Sequence, residues 1–301
     1  MLLKILITGV SGLVGGNLAY NYLKTHDVSG IYNNNKIEIP SCNIFHADLT
    51  KKEEVTNIKG DFDVIIHCAG PTNLDFIEKH RDYSYQNIYN ATDYMLDFAK
   101  QRNSFFIFLS TNAIFDGEKG NYTESDTPNP TNYYGELKLL CEKKIRGYKN
   151  HCILRIIPYG WNIQNKMCIA EWILSNLRKK HEINGFTDAI FSPILVNNMA
   201  KVIEEIFTRK ITGTYNLAGT ESCSKYEFAM RMAETAGLDK TLIKKAKAVD
   251  FFNAKRGLKL DLNMEKLSRT INTKIMGVNE GITEFLKLEN EYAKELKNLL
   301  K

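Results

Sequence analysis

Tyr134 and Lys138 stand four residues apart in the run Tyr134-Gly135-Glu136-Leu137-Lys138, and on a helix that spacing puts both on one face. A free tyrosine has a pKa near 10 and keeps its proton at neutral pH. An ammonium beside it favours the phenolate and lowers that pKa, so the pair could exchange a proton with a substrate oxygen. Tyr133 has leucine, not lysine, four residues on, which makes Tyr134 the candidate. A bare Tyr-x-x-x-Lys arises often by chance on a solvated helix face. Position gives this one weight. It follows an apolar run that ends in Ser110-Thr111, and in open α/β sheets the C-terminal strand ends face the ligand crevice.

A second constellation lies at the start of the chain, in Thr8-Gly9-Val10-Ser11-Gly12-Leu13-Val14-Gly15. Gly9, Gly12 and Gly15 recur at every third position, between an apolar run and a stretch of helical spacing. A dinucleotide loop needs a tight turn with positive φ, a backbone that can approach a pyrophosphate, and close helix–strand packing. The free N–H groups at the helix start, around Ser11 to Leu13, would face the phosphates. The carboxylate that often ends the second strand and binds the ribose is missing: Tyr32 is followed by Asn33, Asn34, Asn35 and Lys36. Nothing there repels a 2′-phosphate and Lys36 could pair with one, so NADP is expected over NAD.

These groups need elements to hold them. Short apolar runs at 2–7, 28–32, 43–46, 63–68, 104–109 and 152–157 read as strands. Helical stretches at 13–24, 82–101 and 131–147 separate several of them. Strands alternating with helices predict a doubly wound parallel α/β sheet, a Rossmann fold. Phe105 to Phe108, four residues with Phe-Phe-Ile-Phe in a row, need cover on both faces. After Pro158 the rhythm changes, with a helix at 197–208, a strand at 213–217 and helices dominating from Ser224 onward. The expected division is a dinucleotide-binding domain over 1–160, with return segments around 190–218, and a mainly substrate-binding, mixed α/β region over 161–301. No linker rich in Pro, Gly or Ser separates them.

Composition narrows the class. The 301 residues carry 40 basic and 35 acidic side chains, a formal charge of +5. That surplus suits an anionic small substrate. No basic cluster or known motif points to nucleic acid. The apolar start is too short for a signal peptide, and no run reaches the roughly 18 to 20 residues needed to span a bilayer. The six cysteines are scattered without CxxC spacing, as expected of reduced thiols in a cytoplasmic protein. His67 reads as a core or cofactor-adjacent residue, and no Cys/His cluster suggests a metal site.

Taken together, the sequence resembles the extended short-chain dehydrogenase/reductases, and within them the dTDP-4-dehydrorhamnose reductase family. The resemblance rests on the glycine loop, His67-Cys68-Ala69-Gly70, Asn87 to Ala91, and Ser110-Thr111-Asn112-Ala113-Ile114-Phe115-Asp116-Gly117. Tyr122-Thr123-Glu124, Pro128, Pro130 and Tyr133 to Lys138 extend it. It implies Thr111, Tyr134 and Lys138 as catalytic triad. It also implies a cofactor set of Gly9, Ser11, Gly12, Leu13, Gly15, Asn33, Lys36, Asp48, Leu49, Cys68, Ala69, Gly70 and Asn87, with Tyr134 and Lys138 at the reacting end. There are departures. Asn112 stands where the family usually has Asp and Ala113 where it often has Tyr. Arg256-Gly257-Leu258-Lys259-Leu260-Asp261 resembles an Arg-Pro substrate segment with Gly257 in place of Pro.

The implied activity is reduction of a keto group on a nucleotide-linked sugar, as in polysaccharide biosynthesis. Hydride comes from the nicotinamide, the proton from Tyr134, and the Thr111 hydroxyl holds the substrate oxygen. A 4,6-dehydratase would need an acid–base pair beside Thr111, and Asn112-Ala113 offers none. A 4-epimerase shares the triad. A non-catalytic NADP-binding regulatory subunit would be expected to lose Tyr134 or Lys138. The amphipathic stretch 282–300 is expected to be one covering helix, with a surface available for a homodimer.

Overall fold

The computed structural model describes residues 2–164, 166–251 and 256–298. Seven parallel strands form its centre: β1 (Lys4–Thr8), β2 (Asp27–Tyr32), β3 (Asn43–His46), β4 (Val64–His67), β5 (Phe105–Thr111), β6 (His151–Ile156) and β7 (Gly213–Leu217). Their spatial order is β3-β2-β1-β4-β5-β6-β7. The order reverses between β1 and β4, and that reversal opens a ligand crevice beyond the C-terminal strand ends.

The period of two in the central strands divides the core into two layers. On β5, Phe106 and Phe108 join Met95, Leu96, Leu137 and Cys141 on one face, while Phe105, Ile107 and Leu109 join Leu18, Val202 and Ile206 on the other. The first face is covered by α2 (Ala91–Arg102) and α3 (Tyr133–Ile145), the second by α1 (Leu13–Tyr22) and α5 (Val196–Thr208); α4 is Ile169–Arg178. Burying each such phenylalanine contributes about 1.5–3 kcal/mol, which is why four large apolar residues in a row settle the centre of a two-faced sheet.

Two helical expectations differ from the structure. The stretch 82–101 contains a π-helical turn, Gln86–Asn90, between Arg81–Tyr85 and α2. The stretch 282–300 is not one helix. It divides into α6 (Val278–Lys287) and α7 (Tyr292–Lys297), and its last two residues lie outside the described ones. The chain turns so that Tyr292 can pack edge-on against Tyr20 and donate to Asn17 Oδ1 at 2.6 Å, which docks the C-terminus onto α1. The helix α4 had no clear signal, and neither had the two-residue strands after Pro158. No helix among the described residues is long and apolar enough to cross a membrane.

Candidate active site

A cleft of about 650 Å³ opens at the ends of β1 to β4. Of the expected cofactor residues, Gly9, Ser11, Gly12, Leu13 and Gly15 line it after β1, and Asn33 after β2. Leu49 follows β3, Cys68, Ala69 and Gly70 follow β4, and Asn87 projects from the π turn. Gly9 turns the chain with φ +69. Gly12 is the N-cap of α1 and no side chain caps that helix, so its first N–H groups remain available to an anion. A dinucleotide phosphate fits this cradle.

Three findings modify the expected set. A Cβ on Gly15 would lie 2.3 Å from the Gly9 carbonyl oxygen, so this glycine, besides lining the cleft, is needed for the packing of α1 on the turn. Lys36 and Asp48 do not line the cleft. The Lys36 ammonium sits 3.2 Å from Glu38 on an exposed loop, and Asp48 accepts from the Thr50 hydroxyl at 2.7 Å, closing a turn. The charged side chain lining the cleft among the described residues is Lys166, from the second half of the chain, with Asn162, Gln164 and Met167 beside it. Their loop lacks periodicity, so no sequence pattern marks them.

Thr111, Tyr134 and Lys138 meet beyond the ends of β5 and at the start of α3. Asn132 caps α3 by accepting the Gly135 N–H at 3.0 Å, and the Glu78 carboxylate accepts the Tyr133 N–H at 2.6 Å. A Cβ on Gly135 would meet the Ala113 carbonyl oxygen at 2.2 Å, so glycine next to Tyr134 lets α3 start flush against the end of β5. The Thr111 hydroxyl donates to Asn112 Oδ1 at 3.4 Å and accepts the Ala113 N–H at 3.1 Å, and it lies near enough to the Tyr134 phenol to lower its pKa.

The expected effect of Lys138 on Tyr134 does not appear. Lys138 is buried, donates to the Leu109 carbonyl at 2.7 Å and lies 4.4 Å from the centre of the Phe108 ring. Burial lowers its own pKa. Burial raises Tyr134 to about 12, and the Thr111 hydroxyl is the group that pulls it back. In this geometry Tyr134 therefore holds its proton firmly. That suits a donor to an alkoxide, which is more basic than a phenolate.

One turn further along α3, Glu142 is fully buried. It receives Arg155 Nε at 3.1 Å and Nη2 at 2.9 Å, Arg146 Nη2 at 2.8 Å and the Ser110 hydroxyl at 2.6 Å. This bidentate pair locks the Tyr–Lys helix to β5 and β6 beneath Thr111. Sequence reading missed it because partners in different elements leave no spacing signal.

The departures from the family pattern have local causes. Asn112 donates from Nδ2 to the Leu260 carbonyl at 2.9 Å, which ties the end of β5 to the 257–263 segment. Gly257 packs backbone to backbone against Gly117: a Cβ on Gly257 would lie 2.6 Å from the Asp116 carbonyl oxygen. No proline ring fits there. The nearby Arg256 lies 3.1 Å from Asp75. Tyr159 and Trp161 are buried core side chains; Trp161 stacks on Phe285 at 4.4 Å and lines no part of the cleft. All six cysteines are free thiols.

A family model described as RmlD substrate binding domain matches residues 3–290. A Haloferax volcanii protein named "Probable low-salt glycan biosynthesis reductase Agl14" is 28% identical over 252 residues, covering 81% of this chain and 84% of that protein. The methionine adenosyltransferase 2 subunit beta of Mus musculus is 26% identical over 277 residues, covering 88% and 81%. A dTDP-4-dehydrorhamnose reductase from Bacillus anthracis, solved in complex with NADP, superposes with a TM-score of 0.83 at 23% identity, covering 95% of this chain and 99% of that one.

Proposed function

Because the chain belongs to the RmlD substrate binding domain family, we propose that it is an NAD(P)H-dependent oxidoreductase that reduces the keto group of a nucleotide-linked sugar. What supports this reading is a glycine-lined cleft at the ends of β1 to β4 together with Thr111, Tyr134 and Lys138 at the end of the neighbouring β5 and the start of α3, although these three do not line the cleft themselves. The nicotinamide cofactor supplies the hydride when bound. Gly12 and the open start of α1 hold its pyrophosphate, and Asn33 and Asn87 border its path. The Thr111 hydroxyl orients the substrate oxygen. Tyr134, which keeps its proton at neutral pH, gives that oxygen its proton. Lys138, on the same face of α3, would hold the nicotinamide ribose. NADP is the preferred cofactor, with NAD accepted, since no carboxylate follows Tyr32. The setting is the cytoplasm.

NADPH oxidation with a panel of 4-keto sugar nucleotides tests the proposal. Turnover by wild type and its loss in Tyr134→Phe support it. Inversion of a hydroxy sugar without net redox would favour an epimerase.

A second reading is favoured by the mouse relative, whose name is that of a subunit of another enzyme. On that reading the chain binds NADP and regulates a partner. Cofactor binding with no turnover on any keto sugar, and no effect of Tyr134→Phe, would favour it.

A further inference from the structure

His67, at the end of β4, is buried together with Thr8 and Thr92, and the three form one hydrogen-bonded chain. The direction of each bond follows from counting protons. The Thr92 hydroxyl donates its single proton to the Ile88 carbonyl at 2.5 Å. Its oxygen must then accept from His67 Nε2, 3.1 Å away. With the proton of a neutral imidazole on Nε2, Nδ1 is an acceptor, and the Thr8 hydroxyl donates to it at 2.8 Å. The Thr8 oxygen in turn accepts the backbone N–H groups of Cys68 and Ala69, each at 3.1 Å. Every donor in the chain finds an acceptor only when His67 is neutral and carries its proton on Nε2.

Each end of this chain holds a segment that lines the cleft. Thr8 immediately precedes Gly9. Cys68 and Ala69 form the turn opposite, and a Cβ on Gly9 would lie 2.9 Å from the Ala69 Cα, so the two backbones touch. Thr92 follows Ala91 on the helix that also presents Asn87. The rings of Phe106 and Phe108, each 6.1 Å from the imidazole, cover its face.

We propose that His67 is a positioning residue for cofactor binding: through Thr8 it sets the glycine loop against the Cys68-Ala69 turn, and through Thr92 it sets both against the helix bearing Asn87. The inference rests on the reading of the cleft as a dinucleotide site. His67 does not itself line the cleft. It fixes the separation of the two walls between which the dinucleotide lies, so its loss should weaken binding without removing any contact to the ligand.

The test is NADPH titration by fluorescence on the full chain, with melting temperature recorded alongside. His67→Phe fills the space between the rings but accepts nothing. Thr8→Val keeps the shape and removes the hydroxyl. Each should raise the NADPH Kd about tenfold, the size expected when a buried partner is left unsatisfied. The double variant should be no weaker than the worse single one, because both break the same chain. His67→Gln, which keeps an acceptor and a donor, should recover part of the affinity. A lowered melting temperature with unchanged Kd in these variants would reduce His67 to a core residue and overturn the proposal. A second measurement needs no variant: nitrogen-15 NMR of wild type should show a neutral His67 with its proton on Nε2, and the Nδ1–H form or an imidazolium at neutral pH overturns it. If wild type binds neither NADPH nor NADH, the reading of the cleft itself has failed. If wild type binds and the variants match it, only the present inference has.

Discussion

Glu78 accepts the backbone N–H of Tyr133 at 2.6 Å, which places a carboxylate from the short helix Leu74–Lys79 on the residue just before the proposed proton donor. The same carboxylate receives Arg81 at 2.8 Å, and the Arg81 guanidinium lies 4.5 Å from the centre of the Tyr133 ring. Burial raises the Glu78 pKa, but the Tyr133 N–H and the Arg81 charge outweigh it and the net shift is downward. Glu78 is thus an ionised cap on the catalytic helix.

Replacing that cap should therefore affect chemistry more than binding. Glu78→Ala frees the first turn of α3 and should lower kcat about tenfold, the scale of a lost cap of about 1 kcal/mol or slightly more. NADPH affinity should hold, because Glu78 borders no part of the cleft. Steady-state kinetics with a keto sugar that wild type reduces would show it; an equal rise in the NADPH Kd would count against a role confined to α3.

Tyr134→Phe keeps the ring and removes the proton. General acid catalysis contributes roughly 100- to 10,000-fold, and the loss should fall on kcat with cofactor and substrate binding intact. Tyr133→Phe should be mild, because the contact that matters at that position is its backbone N–H. Lys138→Met should lower the rate and also weaken cofactor binding. Near wild-type turnover by Tyr134→Phe would exclude the proposed donor.

The second and third glycines of the loop, Gly12 and Gly15, should separate. A Cβ on Gly15 collides with the Gly9 carbonyl oxygen at 2.3 Å, whereas one on Gly12 meets that oxygen at 3.3 Å. Gly15→Ala should cost stability by about 1–3 kcal/mol, as overpacking does. Gly12→Ala should stay folded and bind NADPH about tenfold more weakly, a difference of about 1.4 kcal/mol. Urea unfolding and NADPH titration of both variants distinguish the two roles. Equal stability of the two would mean that the turn relaxes around Gly15.

What the sequence made legible was periodic or contiguous. The strands at 43–46 and 213–217 match their residues in the structure, although the first buries none of its residues fully and the second only Tyr215, Asn216 and Leu217. Tyr134 and Lys138 share a face because a helix imposes it. Their electrostatic relation was not legible, since it depends on the Leu109 carbonyl, which lies on another element and accepts a hydrogen bond from the ammonium. Lys36 looked free because Glu38, two residues on, carries no motif. Lys166 and the Glu142–Arg155 pair were invisible for a related reason: each acts through residues distant in the chain. Gly257 was a departure without a cause until Gly117 was seen against it.

The same physics gives an acid-stability prediction for His67. Burial is the larger cause and the Lys138 ammonium the smaller of a pKa lowered to about 3. The groups that face the ring are the Thr8 hydroxyl from β1, the Thr92 hydroxyl from α2, the Phe106 and Phe108 rings from β5, and the Lys138 charge from α3. None of them favours an imidazolium. An unfolded histidine titrates near 6.5. Above that pH both states hold a neutral ring and this group makes stability no more pH-dependent. Below it the unfolded chain takes up a proton that the folded chain refuses, so stability falls as pH drops from 6.5 toward 3. At about 1.4 kcal/mol per pH unit, the contribution lost between pH 7 and pH 5 is about 2 kcal/mol. His67→Phe removes that term. Urea unfolding of wild type and variant at the two pH values should show the stability difference between them shifting by about 2 kcal/mol in favour of the variant at pH 5. A difference that is the same at both pH values would mean that His67 accepts a proton in the folded protein as readily as in the unfolded one, and the closed chain from Thr92 to Thr8 could not then be as described.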